Sequence, residues 1–326
     1  MRDIGIDLGT TNILIYVKGK GVVLNEPSVA CIDKNSKKML AVGIEAKEML
    51  GKTPDKVEVI RPLKDGVIAD FDTTEEMLKK FVRKALEKRL LVRPKMIICC
   101  PSDITGVEKN AIREIAERMG AKQVYIEEEP KVAAIGAGID ITKPSGSMII
   151  DIGGGTTDIA VLSLGGIVNS NSIKVAGNTF DEDIINYIKD KYKVIIGEQT
   201  AEEIKINIGT VKPEATLTKE VTGRSINEGL PETITITNKD VSEAIKQDIK
   251  KIIEATKHVL ELTPPELCSD IKEKGIILTG GGSMIDGLID VLRKELKIPV
   301  FISDSPLTNI VEGTGILLDN LNLIDN

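Results

Sequence analysis

"IIDIGGGTTDIAV" occupies residues 149–161. Three consecutive glycines separate a pair of apolar runs, with Asp151 before them and Asp158 after. A buried strand gains little from glycine, which loses backbone entropy and packs no side chain. The stretch therefore reads as strand, turn, strand. A Gly-Gly-Gly-Thr-Thr turn exposes several backbone N–H groups with no Cβ in the way, and such nests bind anions, above all phosphate. Asp151 ends the strand where a carboxylate would repel phosphate directly. The arrangement makes sense if a hard cation lies between them, since Mg²⁺ takes one or two carboxylates together with waters and phosphate oxygens.

The pattern recurs. "IGIDLGTTN" at 4–12 has the same order of apolar strand, aspartate, glycine turn, Thr-Thr and polar residue, and Asp7 precedes Asp151 by 144 positions, close to half of the 326-residue chain. Two similar halves predict two α/β lobes facing across a cleft, with both turns gripping one polyphosphate. No Walker or Rossmann glycine fingerprint occurs. A third turn, "LTGGGS" at 278–283, is either an ordinary strand–helix connection or a surface on which a nucleoside lies flat. "YIEEEPKVAAIGAG" at 125–138 puts acids at a strand-to-helix switch, where α/β sites tend to lie. A carboxylate there suits orienting water for attack on a γ-phosphate, a task that is mostly positioning.

Elsewhere the chain alternates strands with helices. Helices are expected over 73–88, capped by Thr73 and Glu76, and over 105–120, capped by Thr105 and Glu108 and ended by Gly120. Pro130 suits the first turn of another. Further helices are expected near 181–193, 200–208, 239–262, 285–296 and within 307–321. Aromatics are 2% with no Trp, so the core is aliphatic. A net charge of −7 argues against a nucleic-acid footprint. Cys31, Cys99, Cys100 and Cys268 match no zinc or disulfide spacing and read as buried thiols of a reducing cytosol. The lone His258, in a long helix pattern, reads as core or surface filler. No signal peptide and no apolar run near the roughly 18 residues of a membrane span is expected.

These turns, with "VLNEPSV", "RPLKDGVIADF", "ICCP", "IGEQTAEEIK" and "TPPELCSDI", resemble the actin/heat-shock-chaperone/sugar-kinase ATPases, and within them the bacterial actins of the MreB/Mbl family, from about residue 2 to 320. The resemblance implies an actin-like α/β fold. Lobe I would take 1–140 and 306–326, with a small insertion at about 32–65. Lobe II would take 141–305, with an insertion at about 182–250. It implies ATP and Mg²⁺ as cofactors. Asp7 and Asp151 would hold the cation. Gly9, Thr10, Thr11 and Asn12 would form one phosphate loop, and Gly153, Gly154, Gly155 and Thr156 the other. Glu129 would position the hydrolytic water with Thr156 as its helper. Glu202 and Lys205 would contact the nucleoside, although by spacing alone they also suit an i,i+3 ion pair. Gly280, Gly281 and Gly282 would form the adenosine loop, with Gly177 and Asp181 near the nucleotide. Asp158 stands where many members carry Glu and the Mbl branch carries Asp.

The implied function is a cytoplasmic ATPase that polymerises into filaments, in paired protofilaments, at the inner leaflet of the cell membrane. There it would determine rod shape by organising peptidoglycan synthesis with the elongation machinery (MreC, MreD, RodZ and wall synthases). In "LEKRLLVRPK" (86–95), Leu90, Leu91 and Val92 sit among basic residues, as suits insertion into anionic lipid. Alternatively Leu91 and Val92 simply begin the next strand; the family resemblance favours the membrane. The rival functions are a small-molecule kinase, for which 32–65 looks too short to build an acceptor pocket, and a chaperone-type ATPase, which would need a peptide-binding extension beyond residue 326.

Overall fold

Strand signals in the first 27 residues fold as an antiparallel meander. The computed structural model describes residues 3–87, 93–212, 214 and 216–324. In it β1 (Ile4–Leu8), β2 (Asn12–Val17) and β3 (Gly21–Pro27) pair in succession. A separate three-stranded sheet follows, built from β4 (Ala30–Asp33), β5 (Met39–Val42) and β6 (Val57–Ile60), with helix α1 (Ile44–Glu48) between the last two. A short hairpin, β7 (Leu63–Lys64) and β8 (Val67–Ile68), leads into α2 (Phe71–Ala85). Strand β9 (Lys95–Cys100) returns parallel to β1, α3 (Gly106–Arg118) follows, and β10 (Gln123–Glu128) pairs parallel to β9 before α4 (Glu129–Gly136). The first large sheet thus has the order β10-β9-β1-β2-β3.

The second half repeats the plan. An antiparallel meander, β11 (Ser147–Ile152), β12 (Thr157–Ser163) and β13 (Gly166–Ile173), is followed by α5 (Gly177–Tyr192), β14 (Val194–Ile195) and α6 (Glu198–Ile208). The hairpin β15 (Thr218–Ser225) and β16 (Pro231–Thr237) joins β14 in a second small sheet. Then come α7 (Asn238–Glu261), α8 (Pro265–Lys274), β17 (Ile276–Thr279), α9 (Leu288–Leu296), β18 (Val300–Ile302) and α10 (Asn309–Asp319). The second large sheet runs β13-β12-β11-β17-β18. The internal repeat is therefore a repeat of topology: an antiparallel meander whose first strand pairs on its other side with a parallel strand, which carries a second parallel strand beyond it.

Side chains alternate across these strands and set the layers. Ile4, Ile6, Met96, Ile98 and Cys100 pack in one cluster with α2 and α3. Ile97 and Cys99 point the other way, into a central layer with Ile149, Ala160 and residues of α4 and α10. On the second sheet Met148, Ile150 and Ile152 face a third cluster with α5, α7 and α9. Helices α4 and α10 thus lie between the two large sheets and touch both β1 and β11 neighbours. Gly136 and Gly313 let them approach: a Cβ on Gly136 would come within 1.8 Å of the Asn309 carbonyl oxygen. Because β11 is covered on both faces, all six of its residues are buried.

Two local expectations need correction. Helix α2 is capped by Asp70, whose carboxylate accepts from the Thr73 amide at 3.0 Å. Thr73 is inside the first turn and forms no cap, because the stronger capping residue lies three positions earlier. The third glycine turn runs into a 3₁₀ turn at Gly281–Met284, and α9 begins only at Leu288, since Gly287 is left-handed at φ +79° and breaks the helix. The box of Thr105 and Glu108 forms as expected. Leu90, Leu91 and Val92 lie outside the described residues.

Candidate active site

Asp7 shares its strand face with Gly5, and Asp151 shares its face with Ile149, so both carboxylates turn toward the central layer. Both lie at the carboxyl ends of their strands, beyond the reach of α4 and α10, where an open α/β sheet leaves its crevice. There the lobes enclose a cleft of about 1030 Å³. Every cleft residue expected from the sequence lines it: Asp7, Gly9, Thr10, Thr11 and Asn12; Glu129; Asp151 and Gly153 to Thr156; Gly177, Asp181, Glu202 and Lys205; and Gly280 to Gly282.

The glycines of the second turn are there to approach the first. A Cβ on Gly154 would fall 1.8 Å from Thr11 Oγ1, and one on Gly155 2.6 Å from Thr10 Oγ1. The turns are stitched into their own lobes. Ser28 donates its amide to the Thr11 carbonyl at 2.8 Å and its hydroxyl to the Gly9 carbonyl at 2.6 Å. The amides of Gly177 and Asn178 donate to the carbonyls of Gly153 (3.1 Å) and Gly154 (2.8 Å). Thr11 Oγ1 then donates to Asn178 Oδ1 across the cleft at 3.1 Å. Gly280, at φ +80°, lies against Asp151; a Cβ there would meet Asp151 Oδ1 at 2.3 Å.

The site is crowded with acid. Burial pushes Asp7 up to about 7. Burial also raises Asp151 well above the usual carboxylate range, reinforced by the charges of Asp158 and Asp7. Glu129, buried in the first turn of α4, is raised by burial and then by the charges of Asp158, Asp7 and Asp151. Asp151 Oδ1 is buried without a hydrogen-bond partner. Such a set is electrostatically incomplete, and protonation or a bound cation would relieve it. Among the described residues no three or more His, Cys, Asp or Glu side chains form a closed metal cage. Asp7 and Asp151 are a donor set that would suit Mg²⁺, which takes one or two carboxylates and completes its shell with water and phosphate oxygens.

Glu202 and Lys205 do not pair with each other. Lys205 Nζ binds Asp181 Oδ2 at 2.7 Å and the Gly177 carbonyl at 2.8 Å, and burial still leaves Asp181 at about 6. Glu202 reaches Lys47 of the other lobe at 2.6 Å. Arg61 meets Glu198 at 3.2 Å, and Gln199 Nε2 donates to the Lys47 carbonyl. These contacts close the cleft from outside. Nothing along the chain marks Lys47 or Arg61, which read as surface charge. Asn178 was findable, as the residue next to Gly177. His258 is exposed and only 3.9 Å from Glu261, a surface residue. Cys99 and Cys100 are buried on opposite sheet faces.

The family model for the MreB/Mbl protein matches residues 1–326. The chain belongs to the MreB/Mbl family. It is 58% identical over 321 residues to the cell shape-determining protein Mbl of Bacillus subtilis, covering 98% of this chain and 96% of the relative. It is 46% identical over 328 residues to the cell shape-determining protein MreB of Escherichia coli, covering 99% and 94%. The crystal structure of MreB5 of Spiroplasma citri bound to ADP superposes with a TM-score of 0.93 at 40% identity, over 98% of this chain and 96% of that one. The same protein bound to AMPPNP gives 0.92 at 39%, with the same coverage. The MamK double helical filament shares the fold at 0.83 and 24% identity, over 97% and 98%. The MreB/Mbl fold, two α/β lobes about a nucleotide-sized cleft, is thus the fold of this chain, and the family's named members here determine cell shape.

Proposed function

We propose that this protein is a Mg²⁺-dependent ATPase that polymerises into actin-like filaments and sets rod shape from the inner face of the cell membrane. The observation that carries the reading is the pair of glycine turns meeting face to face, with the partnerless Asp151 Oδ1 beside them. The nucleotides named in the Spiroplasma citri structures support ATP as the ligand. In this reading the backbone amides of Gly9 to Asn12 and Gly153 to Thr156 hold the phosphates from both lobes. Asp7 and Asp151 hold the cation, which when bound supplies charge neutralisation on the phosphoryl oxygens. Glu129 and Thr156 orient the attacking water in line with the γ-phosphate. Gly280 to Gly282 take the nucleoside, with Glu202, Lys205, Asp181 and Gly177 around it. Residues 90–92 attach the filament to lipid, where repetition along the polymer turns weak contacts into stable binding. Among the described residues no helix is long and apolar enough to cross a membrane. The elongation machinery would be the partner of that filament.

The test is ATP turnover and sedimentation by parent and Glu129→Ala. The parent should release phosphate and form pelletable polymer, and polymer should co-sediment with anionic liposomes. Glu129→Ala should turn over at least about tenfold more slowly, equivalent to roughly 1.4 kcal/mol of transition-state stabilisation, with little change in ATP affinity. Unaltered turnover in the variant removes Glu129 from the mechanism. A parent that never pellets removes the filament, and polymer that leaves liposomes in the supernatant removes the membrane.

A further inference from the structure

A glycine turn can hold an anion only if its amides face the anion, and here the carbonyls set that direction. In a trans peptide the carbonyl of one residue and the N–H of the next point opposite ways, and among the described residues no peptide bond is cis. The Gly153 and Gly154 carbonyls are taken by the amides of Gly177 and Asn178, which open α5, at 3.1 and 2.8 Å. The amides of Gly154 and Gly155 are thereby turned away from α5, and among the described residues neither donates to a protein acceptor. The Gly177–Asn178 peptide is held at its other end too. Its carbonyl accepts from Lys205 Nζ at 2.8 Å, and Asp181 Oδ2 holds that ammonium at 2.7 Å. A cation on the carbonyl polarises the peptide and strengthens the bond that its N–H donates to Gly154. Asn178 then reaches the other lobe. Its Oδ1 accepts from the Thr11 hydroxyl at 3.1 Å. Thr11 Oγ1 lies over Gly154, where a Cβ would come within 1.8 Å of it. Thr11 is fixed from behind by Ser28, whose amide donates to its carbonyl at 2.8 Å. Asn178 thus holds the turn at 153–156 with its backbone and the turn at 9–12 with its side chain, and it lines the cleft between them.

We propose that Asn178 is a positioning residue for the polyphosphate: its side chain locks the two glycine turns in register across the cleft before the nucleotide arrives. This rests on the nucleotide-binding reading of the cleft. With the bond in place, the amides of both turns are already set around one ligand. Without it, the ligand itself must bring the lobes into register, and its affinity falls by that cost. One hydrogen bond of this kind is worth about three- to tenfold in affinity.

The experiment is a double-mutant cycle on the affinity for ATP with Mg²⁺, read by isothermal titration, with Asn178→Ala, Thr11→Val and the pair. Both substitutions change side chains only, so the amide of residue 178 still donates to Gly154. Each single variant should weaken ATP binding about three- to tenfold. The pair should bind no more weakly than the weaker single variant, because the two substitutions remove the same bond. The thermal midpoint of the ligand-free protein should fall by less than about 2 °C in each variant, which separates a loss of binding from a loss of fold. Multiplicative losses in the pair, or parental affinity in either single variant, overturn the proposal. A larger fall in midpoint, or a variant that fails to fold, overturns it too, since Asn178 would then serve the fold and not the site. A parent that binds no ATP overturns the nucleotide reading and this inference together; a parent that binds ATP and is matched by Asn178→Ala overturns this inference alone.

Discussion

At Asp151 the charge problem of the site is concentrated in one atom. Oδ1 is buried, partnerless and pressed against Gly280. A protonated carboxyl or a nearby cation relieves the cost, and only the cation also attracts phosphate. Asp151→Asn removes the negative charge while keeping the shape. ATP binding in the presence of Mg²⁺ should weaken at least about tenfold, or roughly 1.4 kcal/mol. Binding in EDTA should stay as in the parent. Isothermal titration under both conditions measures this, and identical parent and variant curves would show that Asp151 is no cation ligand. This residue was legible in the sequence because an aspartate before a glycine nest has few other uses. Its orphaned oxygen was not, because that depends on Gly280, 129 positions away.

Among the elements, α7 shows how a helix start can fasten a domain. Thr237 and Asp240 form a reciprocal capping box. Asp240 also accepts from Lys191 and, at 2.9 Å, from the Tyr192 hydroxyl, so the cap of α7 is tied to the end of α5. Burial opposes the charge, but hydrogen bonds from Lys191, Thr237 and Tyr192 outweigh it and hold Asp240 at about 2. Its folded value lies below the unfolded one of about 3.9. Its contribution is therefore complete above the unfolded value and is lost as pH falls from about 4 toward 2. Asp240→Ala should cost about 1–2 kcal/mol at pH 7, in the range of a lost cap. The gap in thermal midpoint between parent and variant should narrow from pH 5 to pH 3. A gap that is constant over that range would mean the charge of Asp240 does not stabilise the fold.

Over the whole molecule, the described residues join the lobes along α4 and α10, at the two glycine turns, where Ser102 donates to Asp158, and at the outer contacts of Lys47 and Arg61. The first is a packed, glycine-tight helix pair. The last is open to solvent: in the Lys47–Glu202 pair the side chains are 30% and 27% exposed. Such pairs contribute on the order of 0–1 kcal/mol to stability, yet this one spans the mouth of the cleft. We expect Lys47→Ala to leave the thermal midpoint almost unchanged and to speed nucleotide release a few-fold. Stopped-flow displacement of a fluorescent nucleotide reads the rate. A parental off-rate in the variant would show that the pair does not gate the cleft.

What the sequence determined by itself is local and repeated. Two strand–turn–strand units with an aspartate before each glycine turn imply two like lobes facing across a cleft. The box at Thr105 and Glu108 and the alternation of Cys99 and Cys100 follow from neighbours a few residues apart. The tertiary structure decided the rest. Helix α2 starts on Asp70, because a cap is chosen by which side chain reaches the free amides. In the hairpin of β15 and β16 only β16 alternates, Ile234 and Ile236 between threonines, and its pairing with β15, where Val221 is the buried apolar anchor amid threonines and charges, is set in three dimensions. Lys205 pairs with Asp181 and Glu202 with Lys47, because a charge takes the partner that is nearest in space. Those distances are fixed by how strands stack and lobes close, and no spacing along the chain records them.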